Sequence, residues 1–180
     1  IVHSRLQQQS DFSWKNGIFF PDSFRSTQQI AFYKRTESVD FNWKTLRATG
    51  TKKRDDFELE IMVGVQDKLT IYLFLARALC NGEDPVDVSV VSGPILKPHN
   101  YRIQAMESLD TKLGPLQTIH VRRGGYDSEK QTDMWLAEET RFLPVKLVYR
   151  DDDDVISMDL INISFKATQT AGETSLFDKK

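Results

Sequence analysis

The run Phe12-Ser13-Trp14-Lys15-Asn16-Gly17-Ile18-Phe19-Phe20 decides the fold class. Asn-Gly between two apolar segments is the strongest short hairpin signal. A two-residue turn that matches the twist of its strands needs positive φ at both central positions, and Asn and Gly adopt it at least cost. Working outward, Ile30 and Phe32 alternate with polar neighbours, and so do Val39, Phe41 and Trp43, with Asp40, Asn42 and Lys44 on the opposite face. This two-residue period predicts strands with one buried face. The stretch from Ala48 to Asp56, with Gly50 and Lys52-Lys53-Arg54-Asp55-Asp56, reads as a solvated loop, and Phe57, Leu59, Ile61 and Val63 form the next one-sided strand. Val86 to Val90, Tyr101 to Ala105, Ile119 and Val121, Trp135 and Ala137, and Leu143 to Tyr149 follow as further strands. Turn signals recur between them at about 8 to 12 residues, the spacing of all-β domains.

One segment departs from this period. From Asp67, a helix-capping residue type, Leu69, Tyr72, Leu73, Ala76 and Leu79 or Cys80 recur every three or four positions, and Asn81-Gly82 supplies a stop. At the other end of the chain, Ile156, Met158 and Leu160 are one residue out of phase with Ile161, Ile163 and Phe165. A β-bulge near Leu160 is expected to restore a continuous buried face. The sequence therefore predicts a mainly β fold: an antiparallel meander forming a curved half-open barrel with one covering α-helix. Residues 1–166 are expected to form a single β-rich domain, and residues 167–180, with little periodicity, a loosely ordered tail.

The chain has 180 residues, 39% of them hydrophobic, and 24 Lys and Arg against 26 Asp and Glu. That length buries a substantial core. A net charge of −2 gives no global field for drawing in phosphates, so nucleic acid is not an expected partner. No run approaches the roughly 20 apolar residues of a membrane-spanning helix. The chain opens on Ile1-Val2-His3 without signal-peptide features, so a targeting segment is expected to have been removed or to lie outside this sequence. One cysteine, Cys80, is too few for an internal disulfide or a structural zinc site, and it reads as a small apolar residue of the helix.

Signatures of catalysis are missing: there is no P-loop, dinucleotide fingerprint, Gly-x-Ser-x-Gly elbow or His-Glu-x-x-His. No catalytic residue, metal site or cofactor is expected. His120 shares a strand face with Thr118 and Arg122 and reads as a polar groove residue, because no nucleophile or oxyanion motif accompanies it. Asp151 to Asp154 lack the alternation and the glycine of a calcium loop and read as a solvated hairpin tip. Arg122 and Arg123, beside Gly124-Gly125, suit an anion or a partner protein at a strand end. An edge that discourages aggregation is the simpler reading of the same two residues. The aromatic residues allow two readings as well. Phe32, Phe41, Trp43, Tyr72, Phe74 and Trp135 are candidates to line a groove for an acyl chain, and the same side chains fill a core by packing against the helix.

The C-terminal half carries a family resemblance. Tyr101-Arg102-Ile103 with Glu107-Ser108-Leu109-Asp110-Thr111, then Leu113-Gly114-Pro115-Leu116-Gln117-Thr118, Met134-Trp135-Leu136-Ala137 and Phe142-Leu143-Pro144-Val145-Lys146-Leu147, resemble in order and spacing the exported Gram-negative proteins grouped as domain of unknown function 3108. Phe12-Ser13-Trp14, Val39-Asp40-Phe41-Asn42-Trp43 and Asp67-Lys68-Leu69-Thr70 extend it over about nine-tenths of the chain, to Phe165. The resemblance implies a periplasmic envelope protein. Family members usually carry further strands before the equivalent of Phe12, so a trimmed N-terminus is expected. The family brings no catalytic residues, and Trp135, Pro144 and the Leu-Gly-Pro turn stand as structural landmarks. Two functions follow as expectations: a non-catalytic envelope protein that binds or shields an apolar ligand such as a lipid acyl chain, or an interaction module that holds an envelope protein by a sheet edge or groove. A hydrolase built on His120 or His99 ranks below both.

Overall fold

A computed structural model describes residues 4–124, 130–151 and 154–166. It is mainly β, with two antiparallel sheets and one α-helix, and the strand order in each sheet follows the sequence. Neither sheet closes on itself; each ends in two edge strands. The chain divides into two compact units, one formed by residues up to Phe74 with Asp87–His99, the other by Leu75–Val86 and the residues from Asn100.

The first unit holds a five-stranded meander, β1 (Ser4–Lys15), β2 (Ile18–Ile30), β3 (Tyr33–Asn42), β4 (Arg47–Lys52) and β5 (Asp55–Glu60). Its first hairpin turns on Asn16 (φ 51°) and Gly17 (φ 80°), as the sequence predicts. The next turn falls at Ala31 (φ 49°) and Phe32, without Gly or Asn, so Ile30 ends β2 while Phe32 sits in the hairpin tip, and the two do not belong to one strand. Within the stretch read as a loop, residues 47–52 form β4, paired to β3 and β5, and only Lys53 and Arg54 make the turn. Phe24, Val39, Ala48, Ile61, Val65 and Val91 make the buried core, with Phe41, Trp43, Phe57, Leu59, Leu69 and Leu96 packed on it. Trp43 lies beyond the end of β3; its ring is 10° from parallel to Phe41, and its Nε1 donates to the Pro21 carbonyl at 2.7 Å.

Helix α1 (Thr70–Cys80) begins and ends as its sequence directs. Asp67 Oδ1 accepts the N–H groups of Leu69 (2.6 Å) and Thr70 (2.9 Å), while the Asp67 N–H donates to Thr70 Oγ1 at 3.0 Å. This reciprocal cap satisfies donors that the first turn otherwise leaves open. At the other end Gly82 takes φ 74°. Its N–H reaches the Leu79 carbonyl and the Glu83 N–H that of Ala78, the paired closure typical of a left-handed C-terminal residue. Ile71, Leu75, Ala76, Ala78 and Leu79 are buried, and Cys80 is half-buried.

The second sheet runs, in spatial order, β11 (Asp154–Asp159), β10 (Pro144–Asp151), β9 (Lys130–Ala137), β8 (Gly114–Arg123), β7 (Leu96–Thr111) and β6 (Val86–Val91). Val121, Met134 and Leu136 are buried on one face. The β-bulge expected near Leu160 is not found: β10 and β11 pair in regular register, and Ile156, Met158, Ile161 and Phe165 are exposed, so no continuous buried face forms there. The β9–β10 register slips between Pro144 and Lys146, and the Leu160 N–H donates to the carbonyl of Val145, the residue at the slip. Strand β11 itself ends at Asp159. The tail from residue 167 lies outside the described residues.

Candidate functional site

Cross-strand pairing assembles a polar face on the second sheet. His120 stands opposite Trp135 and Arg122 opposite Asp133 across β8 and β9, while Val148 of β10 flanks Asp133 and Lys146 flanks Trp135. Asp133 is almost fully buried, yet its carboxylate is saturated. Oδ1 meets His120 Nε2 at 2.8 Å and Arg122 Nε at 2.7 Å, and Oδ2 accepts from Arg150 Nη1. Burial pushes the Asp133 carboxyl up, but the hydrogen bonds and charges of Arg122, His120 and Arg150 outweigh it and hold the group below the usual carboxylate range. The His120 ring lies on Trp135 at 4.5 Å between centroids, Trp135 Nε1 donates to Glu107 Oε1 at 2.7 Å, and Lys146 Nζ stands 5.4 Å from the indole centre.

His120 has a carboxylate at each ring nitrogen, Asp133 of β9 at Nε2 and Glu107 of β7 at Nδ1 (3.7 Å), so the ring bridges two strands. The buried carboxylate ties β8, β9 and β10 together. Among the described residues no three His, Cys, Asp or Glu side chains gather as a metal site.

The sequence-derived candidates scatter. Phe32 is wholly exposed at its hairpin tip, where it lines a concavity that none of the other groove candidates reaches. Phe41 and Trp43 stack on one another in the first unit, Tyr72 and Phe74 are half-buried on α1, and Trp135 belongs to the polar face just described. Arg122 and Arg123, neighbours in sequence, point to opposite faces of β8: Arg122 engages Asp133, and Arg123 Nη2 donates to Thr132 Oγ1 at 2.8 Å. They do not form one patch. Two concavities of the first unit, of about 530 and 690 Å³, are lined by mixed polar and apolar surface, the larger by Phe32, Tyr33, Lys34, Arg35, Lys53 and Arg54 among others.

A second feature is the sheet edge. All six residues of β11 are exposed, among them Val155 (62%), Ile156 (53%) and Met158 (46%). The Leu160 N–H bonds inward to Val145, one step beyond the Lys146–Asp159 pair. In an antiparallel ladder inward-bonding and outward-pointing residues alternate. Asp154, Ile156 and Met158 therefore bond to β10, and Val155, Ser157 and Asp159 present N–H and C=O groups to the open side. Nothing in the local pattern of Val155 to Asp159 distinguishes an edge strand from an inner one, so sequence reasoning placed Ile156 and Met158 on a buried face.

Residues 2–161 match the family described as Protein of unknown function (DUF3108). The chain belongs to this family. No curated protein and no solved structure matches it. The DUF3108 match takes in both sheets and the whole of β11, and it ends two residues past that strand. It thus covers the Asp133 cluster and the exposed edge alike.

Proposed function

We propose that this DUF3108 protein is a non-catalytic component of the Gram-negative periplasm that holds another envelope protein by strand addition along β11. The observation that carries the reading is the edge itself: three large apolar side chains in solvent beside a row of outward backbone groups. Strands at sheet edges that expose such a row are templates for an added strand, and soluble proteins usually blunt them. In β5, by contrast, Phe57 and Leu59 are packed on the core. The reading that gives the chain an acyl ligand draws less support, because only Phe32 of the groove candidates lines either described concavity and Phe41 and Trp43 pack on each other.

The test combines location and contact. Fractionation of the native cell should find the chain in the periplasm. A photo-reactive residue at Ile156 should then give one discrete protein adduct, and Ser157→Pro should abolish it. Proline there removes an outward N–H and leaves the bonds to β10 in place. A cytoplasmic chain, or an adduct unaffected by Ser157→Pro, would overturn the proposal.

A further inference from the structure

Two turns meet at one end of the first sheet. Alternate turns of a meander share an end, so the β2–β3 tip that carries Phe32 lies at the same end as the β4–β5 turn of Lys53 and Arg54. Strand β3 outruns β4 there. Their pairing ends at Glu37 and Lys52, and beyond it the Lys53 N–H donates to the Thr36 carbonyl at 3.2 Å. The notch left beside residues 33–36 is the larger concavity described above. Its lining holds four cations, Lys34, Arg35, Lys53 and Arg54, with two exposed aromatic rings, Phe32 and Tyr33, and no carboxylate.

These cations are uncommitted. None of the four forms an ion pair with a described residue. The carboxylates that adjoin them have other partners: Asp56 accepts from the Thr51 hydroxyl at 3.0 Å, Glu37 holds Lys68, and Asp55 stands cross-strand from Lys52. Burial lowers the pKa of Lys52. Glu37 opposes this, and Lys68, Lys97 and Lys53 lower it further, so the positive field reaches past the notch. In a chain of net charge −2 this excess is local.

The backbone adds an independent observation. Lys53 (φ 57°) and Arg54 (φ 92°) take nearly the conformation of Asn16 (φ 51°) and Gly17 (φ 80°). The opposite end of the sheet makes this turn with the residue pair best suited to it, whereas here two long cations occupy left-handed backbone that strains them. Strain of this kind persists where the side chains have a task.

We propose that this end of the sheet docks on a lipid bilayer carrying anionic phosphate headgroups, with Phe32 entering the interface and Lys34, Arg35, Lys53 and Arg54 lying at the phosphates. Lys34 and Arg35 fall on opposite faces of β3, so an end-on approach brings both to the surface. Phe32 distinguishes a bilayer from an acidic protein. Its whole side chain projects into solvent, and a bilayer accepts a projecting ring without a matching pocket. Cations beside exposed aromatic rings are the composition of an interfacial anchor. The inference goes beyond the strand-addition reading and uses no residue of β11.

Flotation of the full chain with vesicles tests it. Vesicles of equal parts phosphatidylcholine and phosphatidylglycerol should carry the chain upward, less so as salt is raised, and phosphatidylcholine alone should not. Lys53→Asn with Arg54→Gly installs the turn pair of the opposite end, so the unfolding midpoint should hold or rise while vesicle affinity falls about 30-fold. Phe32→Ser should weaken binding about 10-fold and keep its salt dependence. No binding to the mixed vesicles, or binding that survives the double substitution, overturns the proposal. Binding unchanged by Phe32→Ser overturns it as well, and competition by polyglutamate would then assign the cations to an acidic polypeptide.

Discussion

Gly50 on β4 approaches Ser38 on β3 so closely that a Cβ built on it would stand 2.0 Å from the Ser38 carbonyl oxygen and 2.8 Å from the Phe57 ring. The glycine lies opposite Val39 and Phe57, in the middle of the sheet that carries the first core. The nearer atom is backbone and cannot rotate away, so relief requires β3 and β4 to part.

Gly50→Ala should therefore destabilise the first unit by about 1–3 kcal/mol, the usual range for forcing atoms into a packed site. The entropic gain of Gly→Ala, about 0.4–1 kcal/mol where the backbone is compatible, does not offset it. Urea unfolding followed by Trp fluorescence reads the difference. A variant as stable as the parent would mean that β4 stands further from β3 than described.

The Asp133 cluster makes a prediction about acid. The folded-state pKa of Asp133 is depressed, so its contribution to stability is fully present above the ordinary carboxylate range. It is lost as pH falls through the depressed folded value. Asp133→Asn keeps the shape but leaves the cations of Arg122 and Arg150 facing a neutral amide. Breaking a buried pair on one side costs about 3–5 kcal/mol, discounted here because the Arg150 side chain is 44% exposed. The variant should be less stable at neutral pH, and the gap to the parent should close on acidification below pH ~4. A constant gap across that range would place the carboxylate's role in packing and not in charge.

How much of this was legible in the sequence depended on range. Asn16-Gly17 and the Asp67–Gly82 limits of the helix are local devices, in which the residues that make the turn or cap are the signal. The tip at Ala31-Phe32 has no such residue, and its position is fixed by the pairing of Ile30 with Tyr33. Strand β4 was hidden because only Ala48 of its six residues is apolar enough to contribute to the core. Asp133 is a single carboxylate in a strand, and what makes it a cluster is that β8 and β10 bring His120, Arg122 and Arg150 to it by register. The exposure of Ile156 and Met158 follows from β11 being last in the sheet, which no alternation of apolar residues reports.

Asp67 behaves oppositely to Asp133. Burial raises its pKa, and hydrogen bonds from Ser10, Leu69 and Thr70 only partly counter this. A carboxyl raised in the fold contributes stability below its unfolded pKa and loses it as pH rises through the folded value. Asp67→Asn keeps an oxygen for the two helix N–H groups and removes the buried charge, so it should be near neutral in stability at pH 7. Asp67→Ala removes the cap and should cost about 0.5–2 kcal/mol. Thermal unfolding of both variants separates the two roles. Equal losses would mean that the charge, and not the acceptor, holds the start of α1.

Phe32 and Trp43 entered as equal candidates for a ligand groove, and their surroundings now separate them. Phe32 is bare at a hairpin tip, so Phe32→Ser should change stability by no more than about 0.5 kcal/mol. Trp43→Phe keeps an aromatic ring beside Phe41 and Phe20 but leaves the Pro21 carbonyl without its indole donor, for a loss of about 1–3 kcal/mol. If Trp43 instead lined an acyl site, its ring would be held by the ligand, and Trp43→Phe would lower lipid retention while sparing the unfolding midpoint of the lipid-free chain. Measuring that midpoint on delipidated protein therefore decides whether Trp43 belongs to the core or to a groove. A clear downward shift assigns it to the core.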